Sequence, residues 1–174
     1  MLLPGMLYII PSFSKKENNF IKRNAINSLS QLKLWRNDIE DIMVSLLSNP
    51  YFEVRIAAIN YLNENMPKEQ YSKFRAIMIS KLSKTRIEEK IAYIKFISRF
   101  GGTNDLDLLR PYFLHSNSLL REEILTLLLS FYKKGLLNSD EVKDHISSIL
   151  ITSNNMRAEF RLKQLIRIIY REIK

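Results

Sequence analysis

The chain repeats itself, and that constrains its fold more than any other feature. The stretch Val54-Arg55-Ile56-Ala57-Ala58-Ile59-Asn60-Tyr61-Leu62 places Val54, Ala57, Ala58, Tyr61 and Leu62 at i, i+3, i+4, i+7 and i+8 of one helix face. Ile56 and Ile59 make a second flank apolar, so this helix requires neighbours on more than one side. The pattern returns at residues 21–29, 33 residues earlier, and at residues 89–97, 35 residues later. Residues 120–128 follow after another 31, and residues 160–168 after a further 40. Each copy carries a base in its second column: Lys22, Arg55, Lys90, Arg121 and Arg161. A unit of this size cannot bury its apolar face alone, so copies must stack to share a core.

Between the copies lie further helical stretches at residues 38–47, 67–82 and 106–114, the last interrupted by Pro111. Another is capped by Ser139-Asp140-Glu141 and runs to about Ile151. Asn37-Asp38, with Asp38 as cap, and Asn49-Pro50 read as helix starts. Gly101-Gly102 and Gly135 read as stops that tolerate the left-handed conformation. Turns such as Ser48-Asn49-Pro50, His115-Ser116-Asn117 and Ser153-Asn154-Asn155 are short enough to make neighbouring helices antiparallel. Helix, turn, helix, turn, five times over, is an all-α expectation, with Ala25, Ala58, Tyr93 and Ile124 at equivalent buried sites.

The segment Asn49-Pro50-x-x-x-Val54-Arg55-x-x-Ala58-x-x-x-Leu62 resembles the second-helix pattern of HEAT repeats, within the armadillo-like α-solenoid superfamily, and Asn117-x-x-Leu120-Arg121 echoes it. The resemblance covers about residues 15–174 and implies an α-α superhelix of about five antiparallel helix pairs, a right-handed stack. The family often places an acid in the turn before the arginine, whereas this chain has Asn49, Tyr51 and Asn117 there. The family's ladder of Asp–Arg pairs is therefore not carried over. Such solenoids commonly hold another protein or a peptide on an extended surface, and the motif itself is silent on which.

The net charge of +9 is unevenly placed. Residues 1–36 hold six bases against Glu17, residues 150–174 hold six against Glu159 and Glu172, and the 15 bases and 15 acids between them cancel. A partner responds to where the field is concentrated, so the ends matter more than the total. The chain has no cysteine, which excludes disulfides and cysteine-based metal sites and fits a cytoplasmic protein. No apolar run approaches the roughly 20 residues that cross a bilayer. Residues 1–14 are apolar but cut by Pro4, Gly5 and Pro11, and read as a short or broken helix packing on the first repeat.

Catalytic patterns are missing from the sequence: there is no phosphate-binding glycine loop, His-Glu-x-x-His or cysteine pair. His115 and His145 read as surface residues without carboxylates at metal-ligand spacing. Glu88-Glu89 and Glu122-Glu123 read as solvated charges, because adjacent residues point to different helix faces. Trp35 beside Asp38 is a weak echo of the aromatic and acidic residues with which some solenoids of this superfamily act as DNA glycosylases.

Two sets of residues remain as candidate partner-binding groups. The column Lys22, Arg55, Lys90, Arg121 and Arg161 either satisfies carbonyls and acids of the adjacent repeat, the favoured reading, or forms a positive stripe. In the last helix, Lys163, Arg167, Arg171 and Lys174 share a side with Phe160, away from the Leu162-centred apolar face. A basic outer face caps a terminal repeat without any ligand, but it does not explain Phe160.

The expectation is a non-enzymatic protein-binding scaffold that needs no cofactor or metal, alone or within a larger assembly or chain, with nucleic-acid binding through the basic ends as the alternative. The aligned register itself can be checked. Ala58→Asp should destabilise the protein severely, since it buries a carboxylate without a partner, and an unchanged thermal melt would refute the register.

Overall fold

The computed structural model describes residues 19–149 and 156–173. The apolar segment 1–14, the turn at residues 153–155 and Lys174 lie outside them. The described residues form nine α-helices and two 3-10 turns, with no strand, and the chain divides into two compact units after Phe96.

In the first unit α1 spans Asn19–Gln31, α2 Asn37–Leu46, α3 Phe52–Asn65, α4 Tyr71–Leu82 and α5 Ile87–Phe100, the last running past the boundary. Helix α3 packs against both α1 and α2. Val54, Ala58, Tyr61 and Leu62 on its main face are buried, and so is Ile59 on the second flank. Ile26 and Leu29 of α1 and Ile39 and Met43 of α2 supply the opposing surfaces. Trp35 stacks on Tyr61 at 6.4 Å and meets Phe74 edge-on at 6.0 Å, so the single tryptophan is a packing residue between the α1–α2 connection, α3 and α4.

In the second unit α6 spans Leu106–Phe113, α7 Ser118–Lys133, α8 Ser139–Ser147 and α9 Met156–Glu172. Helix α7 is its centre and packs against α6, α8 and α9. Leu120, Ile124, Leu127, Leu128 and Phe131 are fully buried there. Both central helices, α3 and α7, fall on stretches that the sequence reading aligns with each other.

Of the four residues expected at equivalent buried sites, Ala58, Tyr93 and Ile124 are buried, while Ala25 is half-buried and its neighbour Ile26 takes the core position. Helix ends also differ from the sequence reading. Asn49 accepts a hydrogen bond from the Tyr51 amide at 2.9 Å, making a turn of its own, and α3 begins only at Phe52. Asp38 lies inside the first turn of α2, bound to Arg36 at 3.1 and 2.9 Å, and does not cap it. A 3-10 turn, Lys68–Gln70, separates Pro67 from α4. Asn138, one residue before the expected cap, closes α8 with a reciprocal box: it accepts from the Glu141 amide at 2.9 Å, and Glu141 accepts from its amide at 2.8 Å.

Pro111 sits within α6 without breaking it, because Leu106, Leu109 and Phe113 anchor the buried side on both sides of the missing amide. Only Gly135 among the described glycines has a positive φ, 69°, in a Schellman ending where the Leu136 amide reaches Phe131 O at 2.9 Å. Gly101 is required for closeness: a Cβ there would lie 2.7 Å from both Asp105 Oδ2 and Ile97 Cγ2.

The buried Tyr61 hydroxyl donates to the Leu34 carbonyl. Burial, with the charge of Asp38 second, pushes its pKa from 10.0 up to about 12. The neutral phenol is the form the fold accepts. Its contribution is therefore complete below pH 10 and is lost as pH rises through about 12. Urea unfolding followed across that window should reveal a loss on the order of 1–2 kcal/mol that Tyr61→Phe removes. An unchanged pH slope in that variant would refute the assignment.

Candidate functional site

The basic column is mostly turned into the fold. Arg55 of α3 forms a two-pronged ion pair with Glu89 of α5, Nε to Oε1 at 2.6 Å and Nη2 to Oε2 at 2.9 Å. Its Nη1 donates to the Asn49 carbonyl at 2.6 Å. Glu89 is buried and also accepts from the Arg86 amide at 3.2 Å, inside the first turn of α5, where the helix dipole favours an anion. The Arg86 guanidinium lies 4.1 Å over the Phe52 ring, a second tie between the starts of α3 and α5. The hydrogen bond to Glu89 is the main reason the Arg55 pKa rises further.

Lys90 is buried and donates to the Thr85 carbonyl at 2.5 Å, and Arg121 is buried within α7. Lys22 is half-buried on α1. Arg161, at the exposed end of the series, stands 3.6 Å from Glu122 with its side chain 70% exposed, a geometry worth little. The reading of Glu88 and Glu89 as a solvated pair is corrected for Glu89, whose partner lies 34 residues earlier in the sequence. His145 is also not a simple surface residue. It packs edge-on against Phe113 at 6.1 Å, and burial, then the charge of Arg110, lowers its pKa.

Beside the Arg55–Glu89 pair a cleft of about 400 Å³ opens within the first unit. The end of α2 and its turn wall it with Leu47, Ser48, Asn49 and Pro50, and α3 contributes Arg55 and Ile59. Helix α4 brings Ile77, Met78, Lys81 and Leu82, with Lys84 and Thr85 following, and α5 adds Glu89 and Tyr93. Lys81 Nζ is held by neutral oxygens, the Leu47 carbonyl at 3.1 Å and Ser48 Oγ at 2.7 Å. No sequence signal singled out Ser48, Lys81 or Lys84, which converge only through the fold.

Helix α9 presents the other concentration of charge. Leu162, Ile166, Ile169 and Ile173 are buried, while Lys163, Arg167 and Arg171 are exposed on the far side. Phe160 is 61% exposed among them, joined by Ile168 at 47% and Tyr170 at 45%. At 100° per residue these six residues fall within an arc of about 160°. Sequence reasoning found the cations and Phe160 but passed over Tyr170 and Ile168.

Among the described residues no group of three or more His, Asp or Glu is placed to hold a metal, and no helix is long and apolar enough to cross a membrane. Compared with known protein families, curated proteins and solved structures, the chain matches none of them.

Removing one member of the buried pair isolates a charge in the interior. Arg55→Met should cost about 3 kcal/mol in denaturant unfolding, and Arg55→Met with Glu89→Leu should recover most of that loss. Additive losses in the double variant would show that the pair is not coupled.

Proposed function

We propose that the chain is a non-enzymatic protein-binding module, each unit a short run of HEAT-like helix pairs, with the outer side of α9 as its docking face. The repeat reading is supported by side-chain bonds that span one period. Lys73 reaches Glu40 at 2.5 Å, 33 residues apart, and Arg55 reaches Glu89 across 34. In the second unit Ser130 donates to the Ser98 carbonyl at 3.3 Å, 32 residues away. These separations fall in the range of the sequence period.

The observation that carries the functional reading is Phe160, Ile168 and Tyr170 standing exposed among Lys163, Arg167 and Arg171. From Phe160 to Arg171 the face extends about 16 Å at 1.5 Å per residue, the reach of a short bound segment. Aromatic and arginine side chains are the groups on which interfaces concentrate their energy. The cations select an acidic partner and steer its approach. Phe160 and Tyr170 offer rings on which a base could stack, so the preference for a protein segment over nucleic acid rests on charge. The bases and acids of residues 37–149 cancel, leaving no net positive charge there to extend a path for a phosphate backbone.

Fluorescence anisotropy with Glu/Asp-rich peptides carrying Leu and Phe tests this against duplex DNA and RNA. At about 150 mM salt the peptides should bind, Phe160→Ala should weaken them about tenfold, and Arg167→Glu with Arg171→Glu should abolish binding. Nucleic-acid binding that persists at that salt, with a log–log slope of about −3 or steeper, would overturn the reading in favour of the alternative. Peptides that never bind would overturn it outright.

A further inference from the structure

We propose that the cleft of the first unit is a binding site for a small organic anion: an apolar ring or short chain bearing a phosphate or a carboxylate. Its volume of about 400 Å³ lies within the range of small-molecule sites. Its lining combines two kinds of chemistry. Ile59 and Met78 offer apolar surface suited to a ring or chain. Ser48, Lys81 and Lys84 belong to the same lining and bring polar and cationic groups.

The charge balance sets the sign of the ligand. Glu89 is the one carboxylate among the lining residues, and both its oxygens are engaged by Arg55. That leaves the ammonium groups of Lys81 and Lys84 in excess. Lys81 is held in place by a carbonyl and a hydroxyl, neutral acceptors that fix its position without cancelling its charge. Ser48 Oγ accepts from Lys81, so its own O–H remains a donor for a ligand. An anion in the cleft has two ammonium groups and a hydroxyl in the lining to draw on, donors of the kind that suit phosphate or carboxylate oxygens. The Arg55–Glu89 pair also lines the cleft and ties α3 to α5, and because its two charges cancel, the net positive charge there comes from the lysines.

The proposal is tested with the whole chain by titrating phenyl phosphate and phenylacetate, with inorganic phosphate and benzyl alcohol as controls for charge alone and ring alone. Amide NMR shifts locate the site, and calorimetry gives the affinity. Either amphipathic anion should bind at least about tenfold more tightly than both controls, with shifts at Ser48, Lys81, Lys84 and Thr85. The tighter of the two identifies the preferred anionic group. Lys84→Met, which alters an exposed side chain, should weaken binding about fivefold, and adding Lys81→Met should abolish it. Unchanged affinity in Lys84→Met, shifts confined to other surfaces, inorganic phosphate binding as tightly as phenyl phosphate, or no binding of either anion at millimolar concentration would each overturn it. The site shares no residue with the α9 face, so failure here leaves the docking reading standing, and the reverse.

Discussion

The ion pair between Arg55 and Glu89 sets the terms for much of the first unit. Burying a carboxylate is costly unless its oxygens are filled, and here they are: two bonds from the guanidinium and one from the Arg86 amide. The guanidinium in turn donates from Nη1 to the Asn49 carbonyl. One interaction thus joins the turn before α3, the helix itself and the first turn of α5. An apolar face tolerates a slip of one helical turn, whereas a two-pronged pair is satisfied in one register. Each neighbouring choice agrees with it, from the acid in the first turn of α5 to the cation–ring contact of Arg86 with Phe52.

This pair also marks where sequence legibility ends. The helical content and the burial of Val54, Ala58, Tyr61 and Leu62 were readable because a 3.6-residue period is a local property. The cap positions moved by one or two residues because Asn49 and Asn138 chose between alternative backbone amides nearby, a competition that local sequence does not decide. Glu89 was misread for a different reason. Adjacent acids at a helix start look like solvated charges, and nothing within one turn reveals a half-buried arginine 34 residues away. A residue's nearest neighbours in sequence describe its helix, but its burial is decided by the helix that packs on it.

The same distinction governs the cations. The second-column bases look in sequence like a continuous positive stripe, yet Lys90 and Arg121 are buried and Arg55 is committed to Glu89. Their aliphatic stems serve as core, and their charges are spent inside the fold. Candidate sites lie instead where cations stand beside accessible apolar surface. In the first unit that place is the cleft, where Lys81 is held by neutral oxygens.

On α9 the outward cations follow from its periodicity. Once Leu162, Ile166 and Ile169 commit one side to the core, Lys163, Arg167 and Arg171 must face away from it. A helix end of that kind needs polarity for solubility, and lysine and arginine alone provide it. Phe160, Ile168 and Tyr170 work against that requirement, since each exposes apolar surface that water does not favour. A single exposed apolar residue is ordinary, but three within one cationic arc give that arc both an anchor and a charge preference. The cleft and the α9 face thus share one physical basis: cations set next to accessible apolar surface define what a ligand must bring.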